Sequence, residues 1–147
     1  MPELVIRPAS LEDADPVFAL LLDFVTSYTP ERVAFDRHLP LLIDGDDAVI
    51  LVAESDGDVV GYVLGHIALT LFANGPVMEL QELMVTPPRR GEGIGRKLVE
   101  AAMKIAAAAQ CTEVTVPTRR AQDFYMQLGF EETATYLKRR IGQPAIS

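Results

Sequence analysis

Between Arg89 and Lys97 the chain reads RRGEGIGRK, four cations set around glycines at alternate positions, Gly91, Gly93 and Gly95. Glycine lets a backbone approach a ligand with no Cβ in the way. Where such a turn opens a helix, its unpaired N–H groups lie at the positive end of the helix dipole and attract anions, phosphate above all. Arg89, Arg90, Arg96 and Lys97 add full positive charge at the same place, in a chain whose net charge is −8. An anion seat and a plain tight turn both use alternating glycines; the cations favour the seat. Two phosphate motifs are excluded. A Walker loop needs glycine directly before Lys and Ser or Thr after it, whereas Arg96 precedes Lys97 and Leu98 follows. The dinucleotide fingerprint G-x-G-x-x-G needs glycine at position 96, which is arginine.

The flanking residues say what holds this turn. The apolar run Leu80, Leu83, Met84, Val85 predicts a buried strand, ended by Pro87-Pro88. Apolar residues at 94, 98, 101, 102, 105 and 109 then recur at helical spacing, so a helix is expected over about Gly93 to Ala109. On that helix Glu100 and Lys104 form an i,i+4 surface pair. Upstream, Leu4–Arg7 predicts a first strand. Ser10 with Asp13 is an N-cap signature for a helix whose face is Leu11, Ala14, Val17, Phe18, Leu21, Leu22 and Val25. Thr29-Pro30-Glu31 starts a second helix, limited by Pro40. Ala48–Glu54 and Val59–Leu69 form a hairpin around Ser55-Asp56-Gly57-Asp58, with Gly61 and Gly65 marking bulges or close backbone approach. Strands are expected at Val77–Val85 and Glu113–Val116, a short helix at Arg119–Leu128 closed by Gly129, and a last strand at Phe130–Arg139. The order is β-α-α-β-β-β-α-β-α-β. This predicts one mixed α/β domain over residues 1–147, a central mixed sheet flanked by helices.

At 147 residues, 49% hydrophobic and 23% charged, the composition is that of a globular domain with a proper core. No apolar run nears the roughly 20 residues that span a bilayer, and the N-terminus lacks signal-peptide regions, so a cytoplasmic, membrane-free location is expected. The acidic balance argues against nucleic-acid binding and is compatible with a cationic substrate. The lone Cys111 excludes an internal disulfide, and no His or Cys pair stands at ligand spacing, so no metal site is expected.

Arg90-Gly91-Glu92-Gly93-Ile94-Gly95 matches the Q/R-x-x-G-x-G/A motif of the GCN5-related N-acetyltransferase (GNAT) superfamily. A second resemblance lies in Ala121 to Phe130, where the alanine, Tyr125 and Leu128-Gly129-Phe130 stand in the family's register. The family's Asn position is Thr118, a departure. Together the matches span about Val77 to Lys138. The resemblance implies acetyl-CoA as acyl donor, with its pyrophosphate on Arg90, Gly91, Gly93, Ile94, Gly95 and Arg96. It implies the pantetheine arm along the preceding strand at Met84 and Val85, with Thr118 in the place of the helping Asn. Dimers are common in the family, so a homodimer is among the assemblies it implies.

Acetyl transfer to a primary amine, on a small molecule or a peptide, has three chemical needs. An ammonium must lose a proton before it can attack. Negative charge developing on the carbonyl oxygen needs a donor, which the resembling strand supplies from the N–H of Met84 or Val85. The departing thiolate benefits from a proton, the family's role for Tyr125. Glu79 and Glu82 are the strand carboxylates that match a family base; simple alternation puts them on opposite faces unless a bulge intervenes. Glu82 is preferred, lying nearer the expected thioester. Tyr28, Phe35 and His38 are candidates for the acceptor pocket by the same resemblance, and His66 is a substrate-side candidate because imidazole titrates near neutrality. The leading expectation is an N-acetyltransferase working by direct transfer in a ternary complex. A non-catalytic acyl-CoA-binding or regulatory module on the same fold is the alternative, and a phosphate or nucleotide binder outside the family shares only the glycine turn.

Overall fold

Each apolar run between turn signals pairs with the run that follows it, as chain-order hairpins do. A computed structural model describes residues 3–24 and 28–142, so Val25 and the last five residues lie outside the described residues. The chain divides into two compact units, Met1–Val116 and Pro117–Ser147.

The first unit carries strands β1 (Leu4–Pro8), β2 (Ala48–Ser55), β3 (Asp58–Leu69), β4 (Pro76–Val85) and β5 (Glu113–Thr115). They form one sheet in the order β1-β2-β3-β4-β5. The first four are antiparallel neighbours, and β5 runs parallel to β4 over Val77–Glu79 only. Helices α1 (Ala14–Leu22) and α2 (Arg32–Asp44) cover one face. There Val17, Leu20 and Leu39 pack with Ile50, Val52, Tyr62, Leu64 and Met84. Helix α3 (Ile94–Ala108) packs on β2, β3 and β4 and buries Ile94, Leu98, Val99, Ala102 and Ala106. Each large aliphatic side chain so buried contributes about 1.5–3 kcal/mol. Both faces of β2 and β3 are thus covered, which explains why their sequences read as continuous apolar runs.

Several expectations need correction. Pro40 does not end α2, which continues to Asp44. Proline forfeits one helical hydrogen bond, but burial of Leu39 and packing of Phe35 and Leu42 on the core carry the helix through it. Leu11 and Leu22 are exposed, and Leu20 joins Val17 on the buried face of α1 instead. On α3 the carboxylate of Glu100 accepts from Arg96 at 2.7 Å, the pair one turn before the expected partner Lys104.

The second unit holds α4 (Gln122–Gln127). The Thr118 hydroxyl accepts the Ala121 N–H at 3.0 Å, closing the turn that leads into this helix. At its far end the Gly129 N–H donates to the Met126 carbonyl and the Phe130 N–H to the Tyr125 carbonyl, both at 3.1 Å, a Schellman closure at the expected glycine. The run Phe130–Arg139 is not a strand: residues 131–139 are all exposed and irregular. Its loose alternation has no ladder to join, since no strand occurs among the described residues of this unit.

An ion cluster fastens the start of the chain. The Arg7 guanidinium donates to both carboxylate oxygens of Asp13, at 2.8 and 2.9 Å, and to Glu54 at 3.1 Å. The same Asp13 carboxylate, 5% exposed, accepts the Ser10 N–H at 2.8 Å. Arg7 in first place holds the Asp13 carboxyl below the usual carboxylate range, against the opposing effect of burial. A carboxyl depressed on folding stabilises at pH above its unfolded value of about 3.9 and loses that contribution as pH falls through the lower folded value. Asp13→Asn is therefore expected to cost about 2 kcal/mol at pH 7 and to flatten the acid limb of stability below about pH 4. Urea melts of both proteins from pH 2 to 7 check this; parallel curves would remove Asp13 from the acid transition.

Candidate active site

The register of β3 against β4 places the carboxylates. Leu64 pairs with Glu82 and Gly65 with Leu80, so Gln81 is an extra residue, a β-bulge on β4. His66 pairs with Glu79. Leu64 and His66 are two apart on an unbulged stretch of β3 and share a face, so their partners Glu82 and Glu79 do too. The bulge that sequence alternation could only allow for is present.

That face is the one under α1 and α2. A cavity of about 250 Å³ opens there, lined by Val17, Leu21, Pro30, Glu31, Ala34, Phe35, His38, Leu39, Leu42, Ile50, Tyr62, Leu64 and Glu82. Among the expected residues, Glu82, Phe35 and His38 are brought together in this wall, whereas Glu79, His66 and Tyr28 do not line it. Tyr28 is 58% exposed. Buried His66 Nδ1 has no hydrogen-bond partner. Sequence reasoning missed Tyr62, which is 2% exposed and donates its hydroxyl to Glu82 Oε1 at 2.9 Å. Burial, and then the neighbouring Glu82 charge, pushes the Tyr62 phenol far above its ordinary pKa, so it stays a donor. The signal was its parity with Leu64, hidden in a strand that is apolar on both sides.

The other end of β4 leads to the glycine turn. The Thr86 N–H donates to the Val60 carbonyl at 2.8 Å, so the 60/86 pair is hydrogen-bonded. Antiparallel alternation then makes 62/84 hydrogen-bonded and 61/85 not. The Met84 N–H is therefore turned into the ladder with Tyr62, and the Val85 N–H and C=O point to the opposite edge. Arg90 confirms that direction, donating Nε to the Val85 carbonyl at 3.0 Å. Among the described residues no strand pairs with this edge beyond Glu79.

Gly93 caps α3 with φ +84°, a left-handed conformation that favours glycine, and a Cβ there would meet nothing within 4 Å. The first helical bond runs from Lys97 N–H to the Gly93 carbonyl, leaving the N–H groups of Ile94, Gly95 and Arg96 ahead of it at the helix mouth. An open, Cβ-free cradle at the start of a 15-residue helix suits a pyrophosphate. The side chain of Ile94 itself is buried in the core, so only its backbone faces the turn. Of the cations, Arg89 binds Glu92 at 3.0 Å and reaches the Ser55 hydroxyl at 3.3 Å, tying the turn to the β2–β3 hairpin. Arg96 rests on Glu100 and Arg90 on the strand end.

In the second unit Tyr125 is 6% exposed and packs edge-to-face on Phe124 and Phe130, with centroids 5.0 and 5.5 Å away. Burial pushes its phenol up to about 12.

Residues 17–130 match the profile of the acetyltransferase (GNAT) family. The chain is 31% identical over 137 residues to the aminoalkylphosphonate N-acetyltransferase of Salmonella typhimurium, covering 90% of this chain and 88% of the relative. Among solved structures it is similar to glucosamine-6-phosphate N-acetyltransferase from Arabidopsis thaliana, with a TM-score of 0.83 and 23% identity over 95% of this chain and 99% of that one. An aminoglycoside N-acetyltransferase solved in complex with CoA gives a TM-score of 0.84 at 21% identity, covering 97% of each chain. At these identities the two structures bear on the fold.

If Arg90 and Arg96, both exposed, leave their present partners for a pyrophosphate, reversing both charges should weaken CoA binding at least about tenfold. Calorimetric titration of Arg90→Glu/Arg96→Glu with CoA, beside a thermal melt showing the fold retained, measures this; unchanged affinity would take both arginines out of the seat.

Proposed function

The chain belongs to the GNAT family of acetyl-CoA-dependent N-acetyltransferases, and from that premise we propose direct transfer of the acetyl group to a primary amine within a ternary complex. The observation that carries this reading is Glu82: its carboxylate lies in the cavity wall, hydrogen-bonded by Tyr62, on the strand that runs on into the glycine turn. Residues 1–147 act here as one catalytic domain, in support of which the family match crosses the boundary between the two units.

The backbone of Gly91, Gly93, Ile94 and Gly95, with Arg90 and Arg96, would hold the pyrophosphate. The outward edge of β4 at Val85 would pair with the pantetheine arm, and the hydroxyl of Thr118 would assist it. Acetyl-CoA supplies an activated acyl thioester there. Glu82 takes a proton from the incoming ammonium, directly or through water, and Tyr62 holds the carboxylate in one orientation as it does so. Glu79, on the same face but outside the cavity, is the second choice for the base. The Val85 N–H, aimed away from β3, is the donor for the carbonyl oxygen. Tyr125, still a phenol near neutral pH, gives its proton to the departing sulfur. A C–N bond forms and a C–S bond breaks; of the two protons the ammonium loses, one ends on the thiol and one in solvent. Phe35 lines the acceptor side. Tyr28 and His66 keep at most a place at its margins.

Two measurements test the reading. A thermal-shift titration should show stabilisation by acetyl-CoA and CoA, roughly 2.7 kcal/mol at a hundredfold excess over Kd, with none from ATP. In steady state, Glu82→Gln should lower kcat/KM for the amine about a hundredfold near neutral pH, with KM for acetyl-CoA little changed. Tyr125→Phe should lower kcat by about tenfold or more, again with acetyl-CoA affinity intact. Full turnover in either variant would strip that residue of its role; CoA stabilisation with no turnover of any amine would favour a non-catalytic binding module.

A further inference from the structure

Resting on the acetyl-transfer reading, we propose that the acceptor is a cationic amine on a compact apolar body, and that amines carrying a phosphonate or many hydroxyls are poor ligands of this cavity. The inside of the cavity is hydrocarbon: Val17, Leu39, Ile50 and Leu64 are each under a tenth exposed, and Leu21 and Leu42 complete the wall. Such a wall desolvates an apolar body favourably and offers a row of hydroxyls few partners, those of Glu31, His38, Tyr62 and Glu82. Its ionisable lining groups are two carboxylates, the Tyr62 phenol and the exposed imidazole of His38. Glu82 stands inside and exposed Glu31 at the rim, and no Arg or Lys is among the described lining residues.

The cation that could upset this balance is Arg32, next in sequence to the rim. Its guanidinium is held by Asp15 at 2.7 Å and Asp36 at 2.8 Å and lies over the rings of Phe18 and Phe35, 5.4 and 5.6 Å from their centroids. Its charge is matched by two carboxylates. An ammonium is thus drawn toward Glu82, whereas a phosphonate on the same molecule would face Glu31 and Glu82 with no Arg or Lys in the described lining and the His38 imidazole as its one nitrogen partner. The size agrees: about 250 Å³ holds roughly eight waters' worth of liquid, enough for one ring or a short branched chain. The similar enzyme of Salmonella typhimurium is named for aminoalkylphosphonates. On this reasoning the present chain has parted from it in acceptor while sharing its fold and donor.

The test compares 2-phenylethylamine, 2-aminoethylphosphonate and kanamycin at pH 8. Each is measured as kcat/KM at saturating acetyl-CoA and, separately, by calorimetric titration into CoA-saturated protein. The expected result is a preference for 2-phenylethylamine of at least about tenfold over both others in Kd, and in kcat/KM wherever turnover occurs. Preferential binding of 2-phenylethylamine without turnover upholds the acceptor class and sinks the catalytic reading. Turnover with equal or reversed preference sinks the acceptor class and leaves catalysis standing. No binding of 2-phenylethylamine at millimolar concentration also overturns the acceptor class. A second variant isolates the rim charge. Glu31 makes no side-chain cap bond to α2, so Glu31→Lys keeps the helix start. It should narrow the gap between 2-phenylethylamine and the phosphonate several-fold, and an unchanged ratio would overturn the electrostatic half of the proposal.

Discussion

One extra residue in one strand decides which face of the sheet carries Glu82. Were Gln81 a regular strand residue and not a bulge, strict alternation would put Glu82 on the face of Leu80, which is 1% exposed and lies on the side of the sheet that α3 covers. A carboxylate there would be buried among Leu98, Val99 and Ala102 with no cation to offset its desolvation. With the bulge, Leu80 stays under α3, and Glu82 and Met84 turn to the face of α1 and α2. Gly65 makes room for the distortion. A Cβ on it would sit 3.4 Å from the Glu79 carbonyl and from the Leu80 and Met78 side chains, at the near edge of van der Waals contact.

The same strand separates two tasks along its length. Its first half is paired on both sides, with β3 and with β5 over Val77–Glu79, and is held rigidly. Among the described residues its second half is paired on one side only, which leaves a row of backbone groups on the outer edge just before the glycine turn. An unpaired edge is ordinarily a liability, a template for unwanted strand pairing. Here Arg90 caps the last carbonyl of that row and Pro87-Pro88 prevents its extension. Both devices are local in sequence, so the turn, the edge and the carboxylate are placed by one stretch of some 15 residues, Leu80–Gly95.

That locality explains what could be read before the structure. The strand–turn–helix around Gly91–Gly95, the Ser10–Asp13 cap and the Gly129 closure are each dictated by residues within a few positions, and the fold keeps them. What could not be read depends on partners far away in sequence. The bulge is specified by the match of Leu64 to Glu82, 18 residues apart. Tyr62 stands in a run apolar on both faces, where periodicity carries no direction. Pro40 is overridden by packing, and Phe130–Arg139 fails as a strand because alternation is only half of a strand and the other half is a neighbour.

The pairing of Tyr62 with Glu82 has a consequence for how a carboxylate can be held in an oily wall. A carboxylate moved out of water needs a donor to retain its charge and orientation, and a cationic donor would compete with the incoming ammonium for it. A buried phenol avoids that competition: it supplies one hydrogen bond at 2.9 Å, brings no charge, and is held protonated by the same desolvation that surrounds the carboxylate. Lysine or arginine at position 62 would satisfy Glu82 more strongly and, for that reason, make it a weaker proton acceptor. An apolar residue would leave the carboxylate without that hydrogen bond. Tyrosine lies between these limits, and a site of this kind can remain apolar enough to bind hydrocarbon while still holding one ready carboxylate.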